Sequence, residues 1–342
     1  MNYIGSKLSL SDFLKKSILS VIKNDSANTF CDLFAGTGTV GILFKKLGFK
    51  IISNDIQYYS YILNKHYIEN NTDLMFNDFK RDKNIFDYLN NLNLIKDGFI
   101  YTNYSPSGTI NQEFKRIYFT DYNAQKCDTI RINIEQLYNN NEINENEYYF
   151  LLTSLIESID KYANTTSVYG AFLKQIKNSA AKHFIINPAN IILGSQKNEV
   201  YNANANYLID KINVDILYLD PPYNARQYCS NYHLLETIAK YDNPIIKGKT
   251  GLRDYTSQKS EFCSKSKVIK AFKNIIEKTN AKYIFLSYNN EGLMRFEEIK
   301  SILSSRGEYG FFEINYSRFK ADNKRNYFKN NTTEYLHYCK CK

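Results

Sequence analysis

Residues 29–49 read TFCDLFAGTGTVGILFKKLGF, and residues 50–55 continue with KIISND. The run 29–34 has the length and apolar character of a buried strand and stops at a glycine-rich turn. Residues 39–47 then read as a helix that ends at Gly48, and 50–55 as a second strand. Strand, helix and strand with short connections make a right-handed βαβ unit, so this part of the chain is expected to build a parallel sheet.

Working outward, residues 11–23 carry apolar side chains at helical spacing (Phe13, Leu14, Ile18, Leu19, Ile22). Further strands are expected at 214–219 (VDILYL), 282–288 (KYIFLSY), 311–317 (FFEINYS) and 334–339 (EYLHYC), with a helix at about 265–279. The alternation predicts an α/β fold, a doubly wound and mostly parallel sheet with a terminal antiparallel pair. The stretch from Asp55 to Val214 is too long for one crossover. Helical patterns fill much of it, at 123–143 with Ile130, Ile134 and Leu137, and at 145–163 with Leu151, Leu152, Leu155 and Ile159. We therefore expect an inserted helical subdomain at 75–195, leaving 1–74 and 196–342 for the sheet domain.

The 342 residues are 43% hydrophobic, enough for a sizeable core, and carry a formal charge of +9. A basic surplus attracts polyanions through counterion release. The same Lys, Asn, Ile and Tyr usage is what an AT-rich genome encodes, so charge alone assigns no partner. The six cysteines are scattered, with no C-x-x-C pair, and only four histidines accompany them. Neither a zinc site nor a disulfide framework is signalled, and a reducing cytoplasm is the expected setting. No signal peptide or membrane span is expected.

Two motifs carry chemistry. Gly36, Gly38 and Gly41 fit G-x-G-x-x-G between a strand and a helix, where glycine lets backbone approach a ligand. Asp55 ends the next strand, where an acid can grip ribose hydroxyls. Alone, this pair suits a dinucleotide or S-adenosylmethionine; the Gly-Lys-Ser/Thr ending of a P-loop is missing. The second motif is Asp220-Pro221-Pro222-Tyr223, directly after the apolar 214–219. Ligands of doubly wound folds bind beyond the carboxyl ends of strands. Two prolines fix the backbone there and leave its carbonyls as rigid acceptors. A carboxylate plus such a carbonyl can accept both hydrogens of one amino group, which keeps the nitrogen lone pair available for attack. Tyr223 offers an aromatic face to a base that has left its helix.

With these motifs in this order, the chain resembles the D12-class (alpha-group) DNA adenine-N6 methyltransferases, the Dam-like and type II restriction-modification methylases. The resemblance spans essentially the whole chain. It begins at the aromatic-x-Gly-x-Lys element Tyr3-Ile4-Gly5-Ser6-Lys7, runs through 34–41 and Asp55, and ends beyond 220–223. It implies a class I S-adenosylmethionine-dependent fold whose insert recognises the target in double-stranded DNA. It also implies that Tyr3, Lys7, Phe34, Gly36, Gly38, Asp55 and Asp220 contact the cofactor. Many relatives carry an Asp before the catalytic strand to hold the cofactor adenine; Asn204 aligns with it here, and its amide oxygen can accept the same bond. Asp220 and the Pro221 carbonyl would hold the target amine during direct transfer from the sulfonium. Two further stretches, 224–228 with 231–236 and 103–106 with 118–120, resemble a restriction-associated subgroup, some members of which act on CATG, making that one candidate site. A cognate restriction endonuclease would be a separate chain.

Arg116, Arg131 and Arg226 are candidate DNA contacts, as are Lys115 and the basic stretch Arg318, Lys320, Lys324 and Arg325. His233 falls on an expected helix and reads as a packing residue. Three rival readings remain: cytosine-N4 methylation, which shares the Pro-Pro-aromatic logic; an NAD-dependent oxidoreductase, resting on the glycine motif alone; and a DNA-binding protein with a retired methylase fold.

Overall fold

The computed structural model describes residues 5–23, 25–81, 84–317 and 331–342. Seven strands form one sheet: β1 Thr29–Asp32, β2 Lys50–Asn54, β3 Glu199–Tyr201, β4 Ile216–Leu219, β5 Tyr283–Asn289, β6 Gly307–Ser317 and β7 Asn331–Cys341. Their order is β3-β2-β1-β4-β5-β7-β6. The pairs from β3 to β5 are parallel, and β7 runs antiparallel to both β5 and β6. The order reverses between β1 and β4, which opens a crevice at their carboxyl ends.

The sheet is covered on both faces, and the period-2 alternation of its strands decides which side chain goes where. Phe30, Ile51, Ile216, Tyr218 and Phe285 pack with Leu14, Ile18 and Phe44 from the helices Ser11–Val21 and Thr39–Lys45. Cys31, Ile52, Leu217, Leu219, Ile284 and Leu286 pack with Phe272, Ile275 and Leu303 from Val268–Lys278 and Phe296–Ser304. Every residue of β4 is buried, as expected of a central parallel strand.

Several boundaries differ from the sequence expectation. β4 starts at Ile216 because Asp215 is drawn to β1, where it accepts from Asn28 N, Thr29 N and Thr29 Oγ1 at 3.0, 3.1 and 2.8 Å. The terminal hairpin is longer than expected, with paired residues from Gly307 and Cys341 to Ser317 and Asn331. β3 has only three residues, too short to stand out in the sequence.

The chain divides into two compact units. Residues 5–71, 192–228 and 257–342 make the sheet unit, and the second contains 72–191 and 229–256. The stretch 229–256, which the sequence reading left with the sheet, belongs instead to the helical unit. Hydrogen bonds tie it there: Arg131 donates to the carbonyls of Ile238 and Ala239, and Tyr104 to that of Gly251. The helices Asp121–Asn139 and Glu145–Tyr162 dominate this unit. A capping box starts the second: Glu147 N donates to Asn144 Oδ1 at 3.0 Å, and Asn144 N to Glu147 Oε2 at 2.9 Å. Among the described residues, no helix is long and apolar enough to cross a membrane.

Candidate active site

The glycine turn is built as its sequence requires. Gly36 and Gly38 have φ of 53° and 77°, a region that side chains disfavour. A Cβ on Gly38 would lie 2.8 Å from Asn64 Oδ1. The Asn64 side chain braces the turn by donating to Gly36 O at 3.0 Å and accepting from Ser53 Oγ at 2.7 Å. At the tip of β2, Asp55 Oδ2 accepts from Gly36 N at 2.9 Å and Oδ1 from Gln57 N at 2.8 Å. A carboxylate oxygen that accepts one N–H can accept a ligand hydroxyl as well.

The tetrapeptide emerges beside this turn. Asp32 is paired with Tyr218, and Leu33 N donates to Tyr218 O at 3.2 Å, so the segments after β1 and β4 leave the sheet as neighbours. Leu293 N anchors the far side by donating to Tyr223 O at 3.0 Å. The Asp220 side chain is 18% exposed. Lys7 Nζ lies 3.2 Å from Asp220 Oδ1, and the Tyr223 hydroxyl donates to the same oxygen at 2.8 Å. No hydrogen bond falls on Oδ2 among the described residues. Burial raises the Asp220 carboxyl to about 6; Lys7 opposes that shift and Glu334 adds to it.

Asp32, almost fully enclosed behind the turn, accepts from Gly41 N at 3.2 Å. Burial first, and then the Asp220 charge, raises its carboxyl to about 8.

The sequence reading missed the cluster around Asp220. Glu334, on β7, is buried, and its Oε1 accepts from Lys7 Nζ at 2.7 Å and Ser287 Oγ at 2.7 Å. The Tyr223 hydroxyl lies 2.5 Å from both Lys7 Nζ and Glu334 Oε1. A signal existed: Glu334 shares strand parity with Leu336 and Tyr338, which face a core, so an acid stands at an apolar-facing position. The Tyr223 ring, expected to be a stacking surface, lies against Tyr288 with centroids 4.8 Å apart, and Lys7 Nζ is 4.7 Å from its centroid.

The other candidates separate clearly. Phe34 packs edge-on to Phe262 and lies at the edge of the core. Asn204 caps the helix Ala205–Leu208, its Oδ1 accepting from Asn206 N at 2.9 Å. Arg116 and Arg131 are not exposed contacts, which corrects the expectation for both. Arg116 is buried and donates to the carbonyls of Lys249, Gly248 and Asn103 and to Gln112 Oε1. Arg131 is equally buried and pairs with Glu135 at 2.7 Å besides its two carbonyl bonds. Each guanidinium satisfies backbone acceptors that burial has cut off from water. Arg226 and Lys115 are exposed. His233 is buried, its Nε2 lies 2.9 Å from Tyr169 O, and burial lowers it to about 4, as a packing residue requires. Tyr3 and the basic stretch 318–325 lie outside the described residues.

Comparison with known proteins agrees with this geometry. The chain is 48% identical over 341 residues to the type II methyltransferase M.NlaIII of Neisseria lactamica, covering 98% of each. It is 43% identical over 332 residues to M.FokI of Planomicrobium okeanokoites, covering 95% of this chain but half the length of that protein. With M.CviAII of Paramecium bursaria Chlorella virus 1 the identity is 36% over 324 residues, covering 94% of this chain and 93% of that one. Residues 3–302 match the profile of one family, and the chain belongs to it: the D12 class N6 adenine-specific DNA methyltransferases.

Proposed function

We propose that this chain methylates the N6 amino group of an adenine turned out of duplex DNA, using S-adenosylmethionine, with Asp220 and the Pro221 carbonyl as the two acceptors of that amine. The observation that carries the reading is the Asp220 carboxylate: Lys7 and Tyr223 hold Oδ1, while Oδ2 is left for an incoming N–H donor. The residues at this end of the sheet fit the donor as well. A bare glycine turn, the Asp55 carboxylate and the Asp220 carboxylate suit a ligand with ribose hydroxyls and a cationic centre. Bound there, the donor supplies an activated methyl group, so the protein's task is positioning and charge.

Gly36, Gly38 and Asp55 would hold the adenosyl part, with Asn204 and Phe34 bordering it. As N6 attacks, positive charge grows on the amine, and Asp220 stabilises it before taking the proton. Turning the base out costs a few kcal/mol. Stacking on an aromatic side chain offsets about 1–3 kcal/mol of that. The helical unit would recognise the target, with its exposed Lys115, and the exposed Arg226 of the sheet unit, available to phosphates. By analogy with the relatives' names, the enzyme would serve a restriction-modification system on cytoplasmic DNA of a bacterial or archaeal cell, paired with a separate endonuclease.

Modification-sensitive sequencing of DNA from a host expressing the chain tests the reading, since it reports base, position and site together. N6-methyladenine at one defined sequence, CATG being a candidate, is expected. Its loss in Asp220→Ala, with cofactor binding surviving at least in part, is expected too. N4-methylcytosine, or full methylation by the variant, would overturn the assignment.

A further inference from the structure

Glu334 lies beyond residue 302, where the family match ends. Its side chain is 1% exposed, and three donors converge on its Oε1 while Oε2 makes no hydrogen bond. One ammonium thus serves two carboxylates, nearer to Glu334 at 2.7 Å than to Asp220 at 3.2 Å. The Tyr223 hydroxyl likewise has one hydrogen and two carboxylate neighbours, Glu334 at 2.5 Å and Asp220 at 2.8 Å.

We infer that Glu334 is a positioning residue for methyl transfer: by taking up the Lys7 ammonium it leaves the Asp220 carboxylate without a counter-ion of its own and open to the target amine. The inference rests on the reading of Asp220 given above. With both carboxylates ionised beside one ammonium, the cluster carries one net negative charge. That charge opposes the positive charge that develops on N6 during attack, in a site where few water dipoles can substitute. Without Glu334, the Lys7 ammonium acts on Asp220 unshared by the second carboxylate, the cluster becomes neutral, and the stabilisation is lost. The groups whose charge acts on Asp220 are Lys7 and Glu334, with Tyr223 bonded to it, Tyr218 on its own strand and Asp32 at the end of the neighbouring one.

The test is a double-mutant cycle on the full chain, read as single-turnover transfer of labelled methyl from saturating S-adenosylmethionine to unmethylated plasmid DNA. Glu334→Gln, which keeps shape and removes charge, is expected to slow transfer about ten- to a hundred-fold. Its acid limb should move to lower pH, because the group that raises Asp220 is gone. Glu334→Asp should recover most of the rate. In a Lys7→Met background the sign reverses: with no ammonium between them, Glu334 repels the Asp220 charge and favours its neutral acid, so removing the Glu334 charge should let the double variant transfer at least as fast as Lys7→Met alone. That comparison removes both ends of the ion pair and stands even if Glu334→Gln alone does not fold. A loss of similar size in both backgrounds, or a Glu334→Gln rate within twofold of wild type, would overturn the inference. Asp220→Ala separates the two levels. If it still transfers methyl, the Asp220 reading fails; if it is dead while the cycle behaves additively, only the role of Glu334 fails.

Discussion

The carboxylate of Asp55 accepts the backbone N–H of Gly36 at 2.9 Å, joining the tip of β2 to the turn after β1. One acid therefore both shapes the turn and faces the proposed ribose. Asp55→Ala should weaken S-adenosylmethionine binding at least about tenfold, or ~1.4 kcal/mol. Calorimetric titration checks this, and an unchanged affinity would remove Asp55 from the site.

Transfer should depend on pH through Asp220. Its carboxyl is raised to about 6, so the acceptor form is lost as pH falls through that value. The single-turnover rate at pH 5 should be roughly tenfold below that at pH 8, the fraction ionised one unit under the midpoint. Asp220→Asn should lack this limb and be slower by about a hundredfold or more. A flat wild-type profile down to pH 5 would show that the ionised acid is not needed.

Asp32 predicts a stability effect of known sign. Its carboxyl is raised to about 8 in the folded chain, so folding holds that proton more tightly than the unfolded chain does. The stabilisation is complete below the ordinary aspartate range and is lost as pH rises through about 8. Asp32→Asn stays neutral throughout and can still accept from Gly41 N. It should melt about 2 °C or more above wild type at pH 9, with the gap narrowing toward pH 5. Melting curves at pH 5, 7 and 9 decide; a constant gap would mean that Asp32 does not titrate.

The arginines should fall into two classes. Arg116→Ala or Arg131→Ala strands buried carbonyls and should destabilise by about 2–4 kcal/mol in denaturant titrations. Arg226→Ala should change stability by less than about 0.5 kcal/mol. If Arg226 meets a phosphate, its loss should reduce the salt dependence of DNA affinity by about one unit of slope. An unchanged slope would exclude that contact.

What could be read from the chain beforehand follows the range of the forces involved. The turn at 36–41 and the Pro-Pro segment at 220–223 are local events, written in neighbouring residues. The strands around them show as apolar runs because the sheet is buried on both faces. The Lys7–Glu334 pair joins residues from opposite ends of the chain, and no periodicity foretells it. Arg116 and Arg131 misled for a related reason. A basic side chain reads as exposed until the fold supplies carbonyls to receive it. The stretch 229–256 follows the catalytic segment in sequence, and only its bonds to Arg131, Arg116 and Tyr104 show that it belongs elsewhere.

Among the described residues, the helical unit is therefore assembled from two separate lengths of chain, 72–191 and 229–256, with sheet strands encoded between them. It is no detachable cassette. Transplanting 72–191 alone into a relative would leave Arg116 and Arg131 reaching for carbonyls that the host encodes differently. On the proposed reading of the helical unit as the target reader, chimeras that exchange target preference must carry both lengths together. Natural drift in preference should likewise proceed by paired changes across the two, rather than by wholesale replacement of one block.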